Sequence, residues 1–133
     1  MGVLSGKRVL VVEDEALIAA MVEDMLVELG AVVVGPAATI ERGLALATEG
    51  EFDAALLDVN IRAARVDPIA AVLRSRGIPV VFATGYGQSA FAQSTGAPIL
   101  EKPYTQEKLA SALSEALRDQ VNQIANVPVG NRA

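Results

Sequence analysis

The chain has 133 residues, 52% of them apolar and 20% charged, with a formal net charge of −5; this length fits one domain, and the acidic balance argues against non-specific nucleic-acid binding. Cysteine and histidine are both absent, which removes disulfides, thiolate metal sites, the commonest general base and any phosphohistidine on this chain, and leaves hard, oxygen-preferring ions as the metals it can hold. No apolar run approaches the roughly 18 residues of a membrane span, so no membrane insertion is expected.

The apolar residues fall in short blocks, "RVLVV", "AVVVG", "AALLD", "IPVVFA" and "PIL", which suit strands buried on both faces. The opening "MGVLSGKR" has no signal-peptide core, and Gly6 stands where a myristoylation signal wants Ser or Thr; a cytoplasmic location is expected. Arg8–Val12 predicts a first strand. Glu15–Leu29 predicts a helix with Leu17, Ile18, Met21, Val22, Met25, Leu26 and Leu29 on its inner face, stopped by Gly30. Ala31–Val34 predicts a second strand, closed by Gly35 and Pro36. Thr39 is a candidate N-cap for a helix to about Ala47. Ala54–Leu57 reads as a third strand. Asp67 and Pro68 read as a cap and a first-turn proline that open a helix to about Ser75. After Gly77 comes a fourth strand, Val80–Ala83, then a small-residue helical segment, Gln88–Ser94. Ile99–Leu100 is a short fifth strand. Thr105 caps a last helix to about Asn122, with Leu109, Ala112, Leu113, Ala116 and Leu117 inward. The domain is expected over residues 7–122, with 1–6 and 123–133 as flexible termini.

Strands alternating with helices five times imply an α/β fold, a parallel sheet covered on both faces with right-handed crossovers. All strand C-termini then lie on one edge. Glu13 and Asp14 follow the first strand, Asp58 the third ("LLDVN"), Thr84 the fourth ("FATGYG") and Lys102 the fifth ("LEKP"). Each has a plain reading alone: a turn-forming Asp, a loop Thr, a solvated Lys, acids favoured by a helix dipole. Their gathering on one edge favours a ligand site, because open α/β sheets bind ligands outside the strand ends.

As a set, these motifs resemble the receiver domain of bacterial two-component response regulators, over about residues 7 to 120. "FATGY" further resembles the receivers known as FAT GUY, often stand-alone or partnered with unusual kinase families. The resemblance implies a flavodoxin-like, doubly wound (βα)5 fold with five strands in the order 2-1-3-4-5, setting Glu13 and Asp14 beside Asp58. It implies Asp58 as phosphoacceptor, a carboxylate nucleophile. It also implies a Mg2+ site, with Mn2+ able to substitute, formed by Glu13, Asp14, Asp58 and the backbone carbonyl of Asn60. The cation would offset the repulsion within "VVEDE", where Glu15 reads as an ordinary helix acid. Lys102 and Thr84 would bind phosphoryl oxygens, and the Lys102–Pro103 bond is expected to be cis.

Two departures matter. Ile99 stands where ordinary receivers carry a switch aromatic in the fifth strand, so switching is expected through the loop Gly85–Ser94 and the fourth helix, with Tyr86 or Tyr104 as substitutes. Tyr104 reads equally as an exposed interface aromatic. Asn60 and Tyr86 stand at positions that tune receivers, and a bulky Tyr86 is expected to shield the acyl phosphate from water. The resemblance implies a phosphodonor partner, a histidine kinase or histidine phosphotransfer protein. Output would come from protein binding through the face of the fourth helix, fifth strand and fifth helix, or from action as a phosphate sink; the protein itself would not be an enzyme. Three other readings compete: an aspartate-nucleophile phosphatase, a dinucleotide-binding enzyme, which lacks its glycine-rich turn, and a receiver fold with an idle site.

Overall fold

The computed structural model describes residues 4–61, 64–85 and 97–125. Its main sheet has five strands: β1 (Arg8–Val12), β2 (Val32–Ala37), β3 (Ala54–Asp58), β6 (Val80–Thr84) and β7 (Ile99–Glu101). Two short strands, β4 (Asn60–Ile61) and β5 (Ala64–Arg65), form a separate antiparallel hairpin. The main sheet is parallel throughout, in the order β2-β1-β3-β6-β7, the order the resemblance implied. The helices among the described residues are α1 (Ala16–Glu28), α2 (Ile40–Glu49), α3 (Asp67–Ser75) and α4 (Gln106–Ala125). None of the described helices is long and apolar enough to cross a membrane.

Alternation along each strand sorts the core into two layers. Val9, Val11, Leu56 and Val81 pack with Val22 and Leu26 of α1 and Leu109 and Leu113 of α4. Leu10, Val12, Leu57 and Phe82 pack with Ala47 of α2 and Ile69 and Leu73 of α3. Because both faces are covered, β3 is buried at every residue, which is why its sequence shows no polar alternation.

Local chemistry sets the helix starts. Thr39 Oγ1 accepts from the Arg42 amide at 3.1 Å, and Thr105 Oγ1 from the Lys108 amide at 3.2 Å, so both threonines cap as expected. Asp67 does not cap: it is the first residue of α3, Val66 holds the cap position, and the Asp67 carboxylate accepts from Arg65 Nε at 3.2 Å.

Four further expectations are corrected. β2 does not stop at Val34 but continues through Gly35 and Pro36 to Ala37. An edge strand tolerates a proline, a register shift between Leu10 and Val12 accommodates it, and Gly35 takes φ +95°, where a Cβ would stand 2.9 Å from the Ala37 nitrogen. In α1, Leu17 and Met21 are 74% and 50% exposed; the buried residues are Ala19, Val22 and Leu26, one row around the helix. Leu4 is fully buried, and the Gly6 amide donates to Gly30 O at 2.9 Å, so the packed unit begins ahead of residue 7. At the other end α4 continues past Asn122 to Ala125. The segment Gln88–Ser94 lies outside the described residues.

Candidate functional site

The site forms where β1, β3, β6 and β7 end. Val12 pairs with Leu57, so the residues just beyond β1 stand beside the end of β3. Carboxylate oxygens of Glu13, Asp14 and Asp58 all lie within 4.8 Å of one another. Glu13 and Asp58 are buried, and Asp14 is half-buried. Lys102, one residue past β7, reaches in from the far side. Its Nζ donates to Glu13 Oε1 and to Asp58 Oδ2, both at 2.8 Å. The Lys102 amide also donates to Thr84 O at 2.9 Å, which ties the end of β7 to the end of β6.

Glu15 stands apart from this cluster. It is exposed, occupies the N-cap of α1 without a side-chain cap bond, and its amide donates to Glu13 Oε2 at 3.1 Å. The triplet thus divides: Glu13 and Asp14 face Asp58, and Glu15 supplies a backbone donor that orients Glu13.

Burial pushes the Glu13 carboxyl above its ordinary range, and the charge of Asp58 adds to that; the Lys102 ammonium and the Glu15 amide pull it back only in part. Burial alone would lower Lys102, but its bonds to Asp58 and Glu13 prevail and hold it above the usual lysine value. Lys102 therefore remains a cation shared between two acids. Thr84 is fully buried, and its Oγ1 has no hydrogen-bond partner among the described residues. A buried hydroxyl without a partner carries a desolvation cost that an incoming oxygen acceptor would relieve.

The donor set is all oxygen, in a chain without cysteine or histidine. That chemistry fits a hard divalent cation of the Mg2+ type and not a thiophilic one. The backbone of Asn60 lies in β4, two residues beyond Asp58.

The remaining candidates fall around this centre. Gly85 follows Thr84 at the end of β6, and Tyr86 lies outside the described residues. Ile99 pairs with Phe82 and packs against the α2–α3 layer. Tyr104 packs against the opposite layer and does not stand exposed; burial pushes its hydroxyl up to about 12. The Lys102–Pro103 peptide is cis. Two features were missed from the sequence. One is the Glu13–Lys102 bond, which joins residues 89 positions apart and leaves no local signal. The other is the β4–β5 hairpin, for which the spacing of Val59 and Ile61, apolar at every second residue, was a signal.

Comparison with known proteins matches residues 9–114 to the family model of the response regulator receiver domain. The solution structure of SdrG from Sphingomonas melonis is 41% identical, with a TM-score of 0.75, covering 88% of this chain and 99% of that one. A CheY-like receiver domain protein from Methanospirillum hungatei is 28% identical, with a TM-score of 0.77, covering 90% of this chain and 99% of that one. The phyllosphere-induced regulator PhyR of Methylorubrum extorquens is 27% identical over 114 residues, 82% of this chain. The match spans 43% of that regulator's own length.

Proposed function

Because the chain belongs to the response regulator receiver domain family, we propose that it accepts a phosphoryl group on Asp58 and passes the signal on by protein binding or by holding phosphate as a sink. The observation that carries this reading is the buried Asp58 carboxylate, set between two further acids and a lysine ammonium, with the buried Thr84 hydroxyl, which has no partner among the described residues, at the end of the adjoining strand.

In this reading an Asp58 oxygen forms the new O–P bond while the P–N bond to a donor imidazole breaks and its electron pair returns to nitrogen. The donor is a histidine kinase or a histidine phosphotransfer protein, since this chain has no histidine of its own. Lys102 is already bonded to Asp58 Oδ2 and meets the arriving charge as a point cation. Thr84 gives its buried hydroxyl to another phosphoryl oxygen. Glu13, Asp14, Asp58 and the Asn60 carbonyl would hold Mg2+, or Mn2+ in its place, which when bound offsets the charge on the transferring group. The response leaves the site through Gly85, next after Thr84, and through Tyr104 on the core, since Ile99 supplies no aromatic ring. We place the protein in the cytoplasm, acting on protein partners and not on nucleic acid.

The test is phosphorylation with a small acyl-phosphate or phosphoramidate donor and Mg2+, read by intact-protein mass. One hydroxylamine-labile phosphate is expected on the wild type and none on Asp58→Ala. A phosphate that persists on Asp58→Ala, or none on the wild type, would rule the assignment out.

A further inference from the structure

The described residues next after Asp58, 59–61 and 64–66, are anchored on two sides. The Val59 amide donates to Ala83 O of β6 at 3.1 Å, and Val59 O accepts from the Val66 amide at 3.0 Å. Val66 O in turn accepts from the Ile69 and Ala70 amides, at 3.0 and 3.1 Å, where α3 begins. Between these points β4 and β5 pair antiparallel, Asn60 with Arg65 and Ile61 with Ala64. Val59, Ile61 and Val66 are all essentially buried in the α2–α3 layer. A surface loop needs none of this anchoring.

The pairing pattern fixes what Asn60 offers. In an antiparallel ladder, hydrogen-bonded and non-hydrogen-bonded pairs alternate. The Val66-to-Val59 bond marks those two as a bonded pair, so Asn60 and Arg65 form the non-bonded one. The hairpin therefore does not use the Asn60 carbonyl. The Val59 amide and carbonyl are both engaged, towards β6 and the hairpin, which leaves the Asn60 carbonyl outside the ladder, two residues past Asp58.

We propose that Ile61 and Val66 are positioning residues: by burying and closing the β4–β5 hairpin, they hold the Asn60 carbonyl towards the acidic edge and so set the affinity of the cation site. They act through the backbone between them, as outer-shell groups act on metal ligands. The proposal rests on the reading of Glu13, Asp14, Asp58 and Asn60 as a cation site.

The test measures Mg2+ dissociation constants for the wild type, Ile61→Ala, Val66→Ala and a control, Leu73→Ala. Leu73 is fully buried in the same layer but lies outside the hairpin. The hairpin variants are expected to bind Mg2+ about tenfold or more weakly, and the control to bind it nearly as the wild type does. The 15N shift of the Asn60 amide on adding Mg2+ should shrink in the hairpin variants and persist in Leu73→Ala. Equal losses in all three would make the effect one of general destabilisation and overturn the proposal. So would unchanged affinity in Ile61→Ala. If the alanine variants do not fold, Ile61→Val carries the comparison against Leu73→Val: a weaker Mg2+ constant confined to Ile61→Val supports the proposal, and equal constants overturn it. A wild type that binds no Mg2+ sinks the underlying cation-site reading as well, a result distinct from a wild type that binds while its variants are unaffected.

Discussion

The acidic edge of the sheet and the apolar layers behind it are built from the same strands on opposite terms. In the layers, Val9 and Val11 face one side of β1 and Leu10 and Val12 the other, and all four are essentially buried. One residue past the end of β1 the chemistry reverses. Of the four buried polar residues among those described, Glu13, Asp58 and Thr84 are gathered at this edge. Two of them are like charges sharing one lysine, and the hydroxyl of the third has no partner among the described residues. Burying such groups costs free energy that burial of apolar surface must offset. The difference teaches that the layers supply stability and the edge draws on it, as expected of a site prepared for a charged ligand.

The largest effect should come from breaking a layer. Leu10→Ala removes a fully buried side chain and is expected to cost about 2–5 kcal/mol in urea unfolding, with little change in Mg2+ affinity of the folded protein. Glu13→Gln should do the reverse. The Glu13 pKa is raised in the folded chain, so its contribution to stability is fully present below the unfolded value of 4.5 and is lost as pH rises through the folded pKa. Without metal, Glu13→Gln is therefore expected to gain on the wild type as pH rises from about 4.5 to neutral, a gain smaller than the Leu10 loss. Its Mg2+ affinity should fall about tenfold or more. Urea unfolding across that pH range in chelator, with a parallel Mg2+ titration, checks both; a variant that loses stability at neutral pH would remove Glu13 from the costly side of the comparison. The smallest effect on stability is expected from Thr84→Val, which removes a buried hydroxyl without a partner among the described residues at nearly constant shape and should leave stability unchanged or raise it by up to about 1 kcal/mol. The same variant should lose the backbone shifts that Mg2+ and beryllofluoride, a phosphoryl mimic, produce at the end of β6 in the wild type. Shifts retained in full would free Thr84 of any part in the response.

Much of this was legible because its signals are local. Short Val-rich and Leu-rich blocks mark β1, β3 and β6, and threonines three residues ahead of their amide partners mark the caps at Thr39 and Thr105. The site was legible for a related reason. A parallel sheet collects its strand ends on one edge, so polar residues placed just after apolar blocks must meet. What was misread depended on neighbours distant in sequence. α1 carries apolar residues on adjoining rows, and periodicity alone chose Leu17 and Met21 along with Val22 and Leu26; only the position of the sheet and α4 decides which row is covered. Leu4 looks like part of a loose terminus until the core it enters is assembled.

By itself, then, the sequence determined the alternation of elements, the parallel sheet and the residues that line its working edge, because burial on both faces and turn chemistry are written within a few residues of each other. The tertiary structure alone decided that Lys102 bridges Glu13 and Asp58, that Thr84 is buried with no partner among the described residues, and that β2 runs on through Pro36. Each depends on groups that stay apart in the chain until the sheet and its layers assemble. Such relations have an energy only once the packed layers have brought the partners together.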